Sequence, residues 1–299
     1  MQVLKPLVFQ NSQLISTTAV NADANYNSGT TYALGAKVSY QGSRYESLQN
    51  TNLNKTPDVS PTWWLNLGAT NQFAMFDQFV STSTTATTSL TAVYAPGSVF
   101  NSIALVNVEA AVIKITIRDG ISGPIVYENS AGLSGANLTS WYDYFFLDPL
   151  LKRTQVVFSG LPSYVNSYIT IELTNSTGET VSVGQVVAGD LASLGQTQYG
   201  VSAGIVDYSV KETDEFGNTL FVKRAFSKRM QSDFFLNNNQ LNRVHAYLAS
   251  VRATPAVWIG SSDPQFEEAL IVYGFYREFS LQIAYPNNSL YNIEIEGLT

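Results

Sequence analysis

The sequence predicts an all-β protein, and three observations carry that expectation. Charged residues make up 13% of the 299 positions, about half the ~25% usual in soluble domains, so Asn, Gln, Ser, Thr and Tyr must wet most of the surface. Coiled coils, charged disorder and long amphipathic helices all need abundant Lys and Glu, and this composition disfavours each of them. Apolar residues still reach 45%, enough for a substantial core, and many recur with period two between turns rich in Gly, Pro and Asn. The length fits two or three domains.

Four regions follow in order. Residues 1–30 read as an N-terminal arm: one strand candidate at 4–9 is interrupted by Pro6 and runs into a polar stretch through Asn21, Asn25 and Asn27. Residues 31–70 read as a small aromatic-rich β-module, because Tyr32, Tyr40, Tyr45, Trp63 and Trp64 crowd among Gly, Asn and Pro. Two short strands, 38–40 and 44–48, flank a turn at Gln41, Gly42 and Ser43, and 57–61 reads as a loop. Residues 71–200 read as a jelly-roll-like β-sandwich after a Thr- and Ser-rich boundary at 81–89. Ile113, Ile115 and Ile117 alternate with polar residues, as do Ile169, Ile171 and Leu173, which marks half-buried strands. Residues 175–178 give a hairpin signal before a strand at 181–187.

Residues 201–299 read as a C-terminal β-domain with one flanking helix. Strands at 204–210 and 220–226 flank a turn at 214–218, and strands at 279–285 and 290–295 flank Pro286, Asn287 and Asn288. Leu241, Val244, Leu248 and Val251 fall at three- and four-residue steps, with Asn238 or Asn239 as cap and Pro255 beyond the end, which predicts a helix. Aromatics on the open edges of 220–226 and 279–285 predict that neighbouring copies cover them.

A formal charge of −7 and an isoelectric point near 4.7 give no electrostatic basis for gripping a phosphate backbone, so no nucleic-acid partner is expected. Absence of cysteine excludes disulfides, thiolate nucleophiles and Cys-ligated zinc. The opening MQVLKPLVFQ lacks the apolar run of a signal peptide, and no run approaches the ~20 apolar residues of a membrane span, so no membrane insertion is expected.

Chemistry-bearing constellations are sparse. The sole histidine, His245, lies on the predicted helix without a motif and reads as a partly exposed structural residue. Asp143, Asp148, Asp190, Glu267 and Glu268 are candidates for a carboxylate pair, but nothing in their spacing pairs them. Lys223, Arg224, Lys228 and Arg229 form the one basic cluster, which strand alternation would divide between faces, solvating an edge or meeting an acidic neighbouring subunit. No phosphate-cradling glycine loop or metal-spaced histidine cluster is present. The expectation is therefore a protein that is not an enzyme and takes no cofactor or metal.

The aromatic module is the informative region. Sugars are recognised when their flat CH faces stack on exposed aromatic rings while Asn and Gln supply hydrogen bonds. Residues 31–47, TYALGAKVSYQGSRYES, followed by Asn50, Asn54, Pro57, Trp63 and Trp64, resemble the small chitin-binding modules of bacterial chitinases over residues 31–68. Two departures stand out: Ala36 replaces the acidic or polar residue that usually follows the glycine, and Leu48 and Gln49 replace the usual aromatic pair after the second strand. The resemblance implies carbohydrate binding by Trp63, Trp64, Tyr32, Tyr45 and Asn50. Adjacent tryptophans on an extended chain point opposite ways, so one of the pair belongs to the core and the other to a platform. Which is which stays open at this stage, as does a purely core role for Tyr40, Tyr45 and one tryptophan.

A second resemblance spans residues 71–299. The phrases GIVDYS from Gly204, DEFGN from Asp214, RAFSKR from Arg224 and the closing IEIEGLT from Ile293 are similar to those of bacteriophage tail proteins. The segment order of the C-terminal part is similar to the ring-building β-domains of tube and distal-tail proteins. It implies a virion structural protein at the distal tail, assembled in the host cytoplasm through its C-terminal domain with other tail proteins and copies of itself, and touching host-surface polysaccharide. The alternatives are a glycan-degrading enzyme with a binding module, or a free lectin or adhesin.

Overall fold

Strands form wherever period-two patterning meets turn residues in the computed structural model, which describes residues 1–133, 153–213, 215–261, 263, 266–283 and 285–298. Asp143, Asp148 and the side chain of Glu267 lie outside these described residues. The chain opens with β1 (Gln2–Pro6) and β2 (Leu14–Thr17), and the aromatic module follows as β3 (Lys37–Tyr40), β4 (Ser43–Ser47) and β5 (Trp64–Ala69). Next come β6 (Thr84–Thr87), β7 (Ser89–Tyr94), β8 (Ser102–Glu109), β9 (Val112–Asp119), β10 (Ile125–Gly132), β11 (Gln155–Ser159), β12 (Ser167–Thr174) and β13 (Thr180–Ser193). The last set is β14 (Gln196–Thr197), β15 (Ser202–Asp207), β16 (Val210–Thr213), β17 (Thr219–Val222), β18 (Phe226–Asn237), β19 (Ala256–Ile259), β20 (Ile271–Gln282) and β21 (Asn288–Gly297). The all-β class expected from composition holds.

One 11-stranded antiparallel sheet runs in the order β11-β8-β13-β1-β19-β20-β21-β18-β14, with β6 added to β13 and β15 to β18. A second sheet, β10-β9-β12-β7-β2, packs on its N-terminal half. The alternation read in the sequence sets that packing: Ile113, Ile115, Ile117, Ile169, Ile171 and Leu173 all point into the sandwich core and are buried. On the solvent face Lys114 pairs with both Glu128, at 3.2 Å, and Glu172, at 4.0 Å. The sandwich is therefore real, but the turn at 175–178 does not close a hairpin. β12 pairs with β7 and β9, whereas β13 pairs with β1, β6 and β8, so the turn carries the chain across the core from one sheet to the other. Burying Leu173 and Val181 in the same core from opposite sides is what the crossing accomplishes.

Three further expectations are corrected by the pairing. Residues 81–89 are not a boundary, because β6 pairs with β13 and β7 with β2 and β12. No break divides 71–200 from 201–299 either, since strands of both regions share the large sheet. The first residues are not part of an arm: β1 lies between β13, with Leu4 opposite Leu191, and β19, with Leu4 opposite Val257. Val3 and Leu4 are fully buried on opposite faces of the sheet, and the strand ends at Pro6, which cannot donate to a ladder.

The helix Leu241–Ser250 forms as its spacing predicts and lays Val244 and Leu248, with Val251 just beyond it, on one face of the sheet beside Val3 and Trp258. The helix has no side-chain cap of its own; Asn237 instead caps the 3-10 turn Asn238–Gln240 that leads into it, its side chain accepting from the Asn239 amide, so neither expected cap, Asn238 or Asn239, plays that part. On the other face Leu4, Val106, Val187, Val257 and Tyr273 make a separate cluster.

The large sheet curls toward that second cluster until strands far apart in its order share one carboxylate. Glu268 accepts from the Thr154 amide at 3.0 Å and hydroxyl at 2.6 Å, next to β11, and from Lys228 Nζ at 3.1 Å on β18. Burial pushes the Glu268 carboxyl up, but the bonds from Thr154 and the Lys228 charge outweigh it and hold the group below its ordinary value of 4.5.

Two predictions follow from this frame. Leu4→Ala removes a side chain buried in the central strand and costs about 2–5 kcal/mol; urea unfolding followed by Trp258 fluorescence and by far-ultraviolet circular dichroism falls to lower denaturant in one shared transition. Separate transitions of the two halves would contradict a common sheet. For Glu268, a folded value below the unfolded one means stabilisation that is complete above pH 4.5 and is lost as pH falls through the lowered folded value. Glu268→Gln is thus less stable than the parent at pH 7, and the gap between their urea midpoints closes as pH falls through the lowered folded value; a gap that persists below it would assign the stabilisation to packing.

Candidate functional site: the aromatic module

The module is a three-stranded sheet, β3-β4-β5. Its β3–β4 turn is the tight two-residue kind: Gln41 and Gly42 both take positive φ, 47° and 80°, the mirror-image turn that suits the twist of a hairpin. A side chain on Gly42 would meet Asn11 Nδ2 at 2.9 Å and the Phe73 ring at 3.1 Å, so this turn is also where the module seats on the body. Residues 23–26, expected in an arm, instead run along β3. The Tyr26 amide donates to Ser39 O and the Ser39 amide to Ala24 O, while Arg44 Nε donates to Asp23 Oδ2 at 2.6 Å.

Strand register places Val38 opposite Tyr45 and Ser47 opposite Trp64, which puts the module's core on one face. Trp64 is 2% exposed, and its indole N–H donates to Lys55 O at 2.7 Å. Tyr26 and Tyr32 meet it edge-on, with ring centres 5.9 and 5.2 Å away. Tyr45 is buried in the same cluster, and burial pushes its hydroxyl up. Two of the expected sugar contacts, Trp64 and Tyr45, are therefore core residues. A module this small has no other large apolar groups from which to build a centre.

Trp63 packs at the edge of the same cluster. It is half-buried, and Lys55 Nζ lies 5.4 Å from its ring centre, a cation–π arrangement. One ring face is thereby shared with a flexible ammonium that a ligand could displace. Tyr32 is half-buried with its hydroxyl tied to Asn27. Asn50 is exposed, and its Oδ1 accepts from the Leu34 amide at 3.0 Å. Around this loop Leu34, Leu48 and Leu53 are exposed, aliphatic groups where a sugar site has rings. The structure thus packs Tyr32 and Trp63, both half-buried, against Trp64 and leaves Asn50 on the surface.

Sequence reasoning missed Tyr26, Asn52 and Lys55. Tyr26 sits in the polar stretch that masked it, yet its ring packs on Tyr32, Tyr40 and Trp64. Asn52 is 1% exposed and donates to Ser47 Oγ at 2.9 Å, holding the loop before Trp63 against β4. The density of aromatics just downstream of Tyr26 was the available signal for it.

The other candidates among the described residues make the following contacts. Asp190 accepts from Asn101 Nδ2 at 2.6 Å, and Glu268 joins sheet ends as described. His245 is exposed and meets Phe279 edge-on at 5.5 Å. Lys228 pairs with Glu268 and Arg229 with Glu294 at 2.7 Å, dividing the basic cluster between faces as alternation requires. A groove of about 240 Å³ on the concave side of the large sheet is lined by Val80, Val106, Phe226, Tyr273 and Leu298. Its polar wall, Lys228 with Gln155 and Thr154, is engaged by Glu268. Among the described residues no group of three or more His, Asp or Glu is placed to hold a metal, and no helix is long and apolar enough to cross a membrane.

No protein-family model matches the chain, and no curated protein matches it.

The tryptophan pair separates folding from surface chemistry. Trp64→Ala costs about 3–5 kcal/mol, more than a three-stranded module can supply on its own, so residues 22–69 become protease-sensitive while the sandwich keeps its melting transition. Trp63→Ala, at the edge of that cluster, costs less than Trp64→Ala and leaves the sandwich transition unchanged. Equal proteolysis of the two variants would refute the assignment of core and surface.

Proposed function

We propose that this protein is a structural component of a bacteriophage virion at the distal end of the tail. In this reading it is assembled in the host cytoplasm through its C-terminal β-strands, with other tail proteins and copies of itself, and its aromatic module touches host-surface polysaccharide. The observation that carries the reading is the mounting of the module. Both chain segments that enter and leave it are bonded to each other: Gln72 donates to Asn21 Oδ1 and Ala19 O, and Asn71 Nδ2 donates to Val20 O at 3.0 Å. A binding surface held at two clasped segments of a packed body has a fixed orientation, which is what a repeated particle needs for many weak contacts to act together. Trp63, with Asn50 on the neighbouring loop, is the group offered to a glycan; one aromatic face gives weak binding, and multiplicity on a particle raises it.

Glycan binding and particle membership are tested separately. Immobilised chitin oligomers and host polysaccharide retain the wild-type chain, and Trp63→Ala, which keeps its fold, elutes with the void. Antibody-labelled negative-stain images of phage particles place the protein at the tail end opposite the head. A wild-type chain that no glycan retards would leave the module a spacer, and particles without label would remove the tail assignment.

A further inference from the structure

An open pocket of about 660 Å³ lies at the β14 edge of the large sheet, between the link from β13 to β14, the end of β18 and the turn that joins β20 to β21. From Arg229 onward the exposed stripe of β18 reads Arg229, Gln231, Asp233, Phe235 and Asn237, and Phe235 is its one apolar member. Register sets Gln196 opposite Phe235 and Asn288 opposite Asn237. Directly opposite residues of paired strands point to the same face, so the phenyl ring is framed by three side-chain amides. The Tyr285 ring stands beside it, its centre 6.4 Å from that of Phe235 and its plane tilted by 52°. Gln240, on the turn that leads into the helix, completes the wall.

Both walls are fixed by the chain itself. Gly195 has a φ of +141°, and a Cβ there would collide with Phe235 O, so glycine is what lets the link lie directly against β18. Across the pocket Asn238 ties down the turn that bears Tyr285. Its Nδ2 donates to Tyr285 O at 3.2 Å and to Pro286 O at 2.9 Å, its Oδ1 accepts from Ser289 Oγ, and its amide donates to Asn287 O. The rings are thus in place before a ligand arrives, which lowers the ordering cost of binding. Among the described residues, the side-chain amides of Gln196, Gln240 and Asn288 have no hydrogen-bond partner, and no ionised side chain lines the pocket.

We propose that this pocket binds a neutral hexose chain, a second saccharide site separate from the aromatic module and independent of the tail reading. The chemistry of the lining selects that class. Aromatic faces stack on the CH faces of a pyranose, and a side-chain amide both donates and accepts, matching a hydroxyl that does the same. Four amides without a charge offer nothing to offset the desolvation of a carboxylate, a phosphate or an ammonium. An added peptide strand needs a ladder edge, and β14 is only two residues long. Ring contacts and a few amide hydrogen bonds in an open pocket give a Kd on the order of 1 mM. Binding that weak is read in free solution and does not retain a chain on a column.

Saturation-transfer NMR on the full chain, with cellohexaose and maltohexaose titrated to ~10 mM, tests the site. The wild type passes saturable transfer to the pyranose CH protons of at least one hexaose. Phe235→Ala and Tyr285→Ala, at positions 39% and 57% exposed, keep the circular dichroism and weaken binding at least about tenfold. Gln240→Ala, also exposed, weakens it by roughly two- to tenfold and, with Tyr285→Ala, carries the decision should Phe235→Ala alter the fold. Trp63→Ala binds as the wild type does. Transfer lost in Trp63→Ala and kept in Phe235→Ala would assign the sugar to the aromatic module, overturning this pocket while sparing the module's role. Transfer to neither hexaose, equal transfer in every variant, or binding of a proline-rich peptide alone likewise overturns it. Sugar binding here by a chain absent from phage tails would sink the tail reading and leave the pocket standing.

Discussion

Everything in this molecule leans on the two-sided pairing of a five-residue strand. β1 takes β13 on one edge and β19 on the other, and without it the strands that come from the middle of the chain and those from its end are two separate half-sheets. Val3 and Leu4 fill clusters on opposite faces, so the same strand also locks the helix-covered side to the concave side. A ladder whose partners lie nearly 190 and 255 residues away in sequence must close very large loops before it gains anything, and burial on both faces is what compensates.

The curl of the sheet is a second-order result of that continuity. Once β11 and β18 belong to one surface, twist brings them round toward each other, and Glu268 fixes the closure through Thr154 and Lys228. A carboxylate that alternation and spacing leave without a role turns out to be a fastener between distant strands. The same geometry explains why the concave groove is a poor receptor: its polar groups already satisfy one another.

How much of this was legible depended on whether the signal was local. Ile113, Ile115 and Ile117 announce a half-buried strand because each neighbour is polar, and the Leu241, Val244, Leu248 spacing announces its helix in the same way. β1 overlaps the strand candidate at 4–9 but reads as part of an arm: buried on both faces, it shows no alternation, and its partners are remote. The turn at 175–178 was readable as a turn, but turn chemistry says nothing about whether the flanking strands pair or cross a core. In the candidate site, the adjacency of Trp63 and Trp64 foretold unequal burial, while the fully buried one was identified only by the register of Ser47 against Trp64. Tyr26 stayed hidden because its contribution comes from a segment whose composition reads as linker.

The seating of the aromatic module has an evolutionary consequence. Its entry at Ala19 to Asn21 and its exit at Asn71 and Gln72 are clasped side by side by hydrogen bonds that belong to the body, and the aromatic core shares no cluster with the sandwich. Such a unit is a cassette: recombination that replaced the residues inside the clasp would find both splice points already adjacent and would leave β1 and the curled sheet unaltered. A lineage could change the module's exposed surface by exchanging one short stretch of gene, with the rest of the chain held constant.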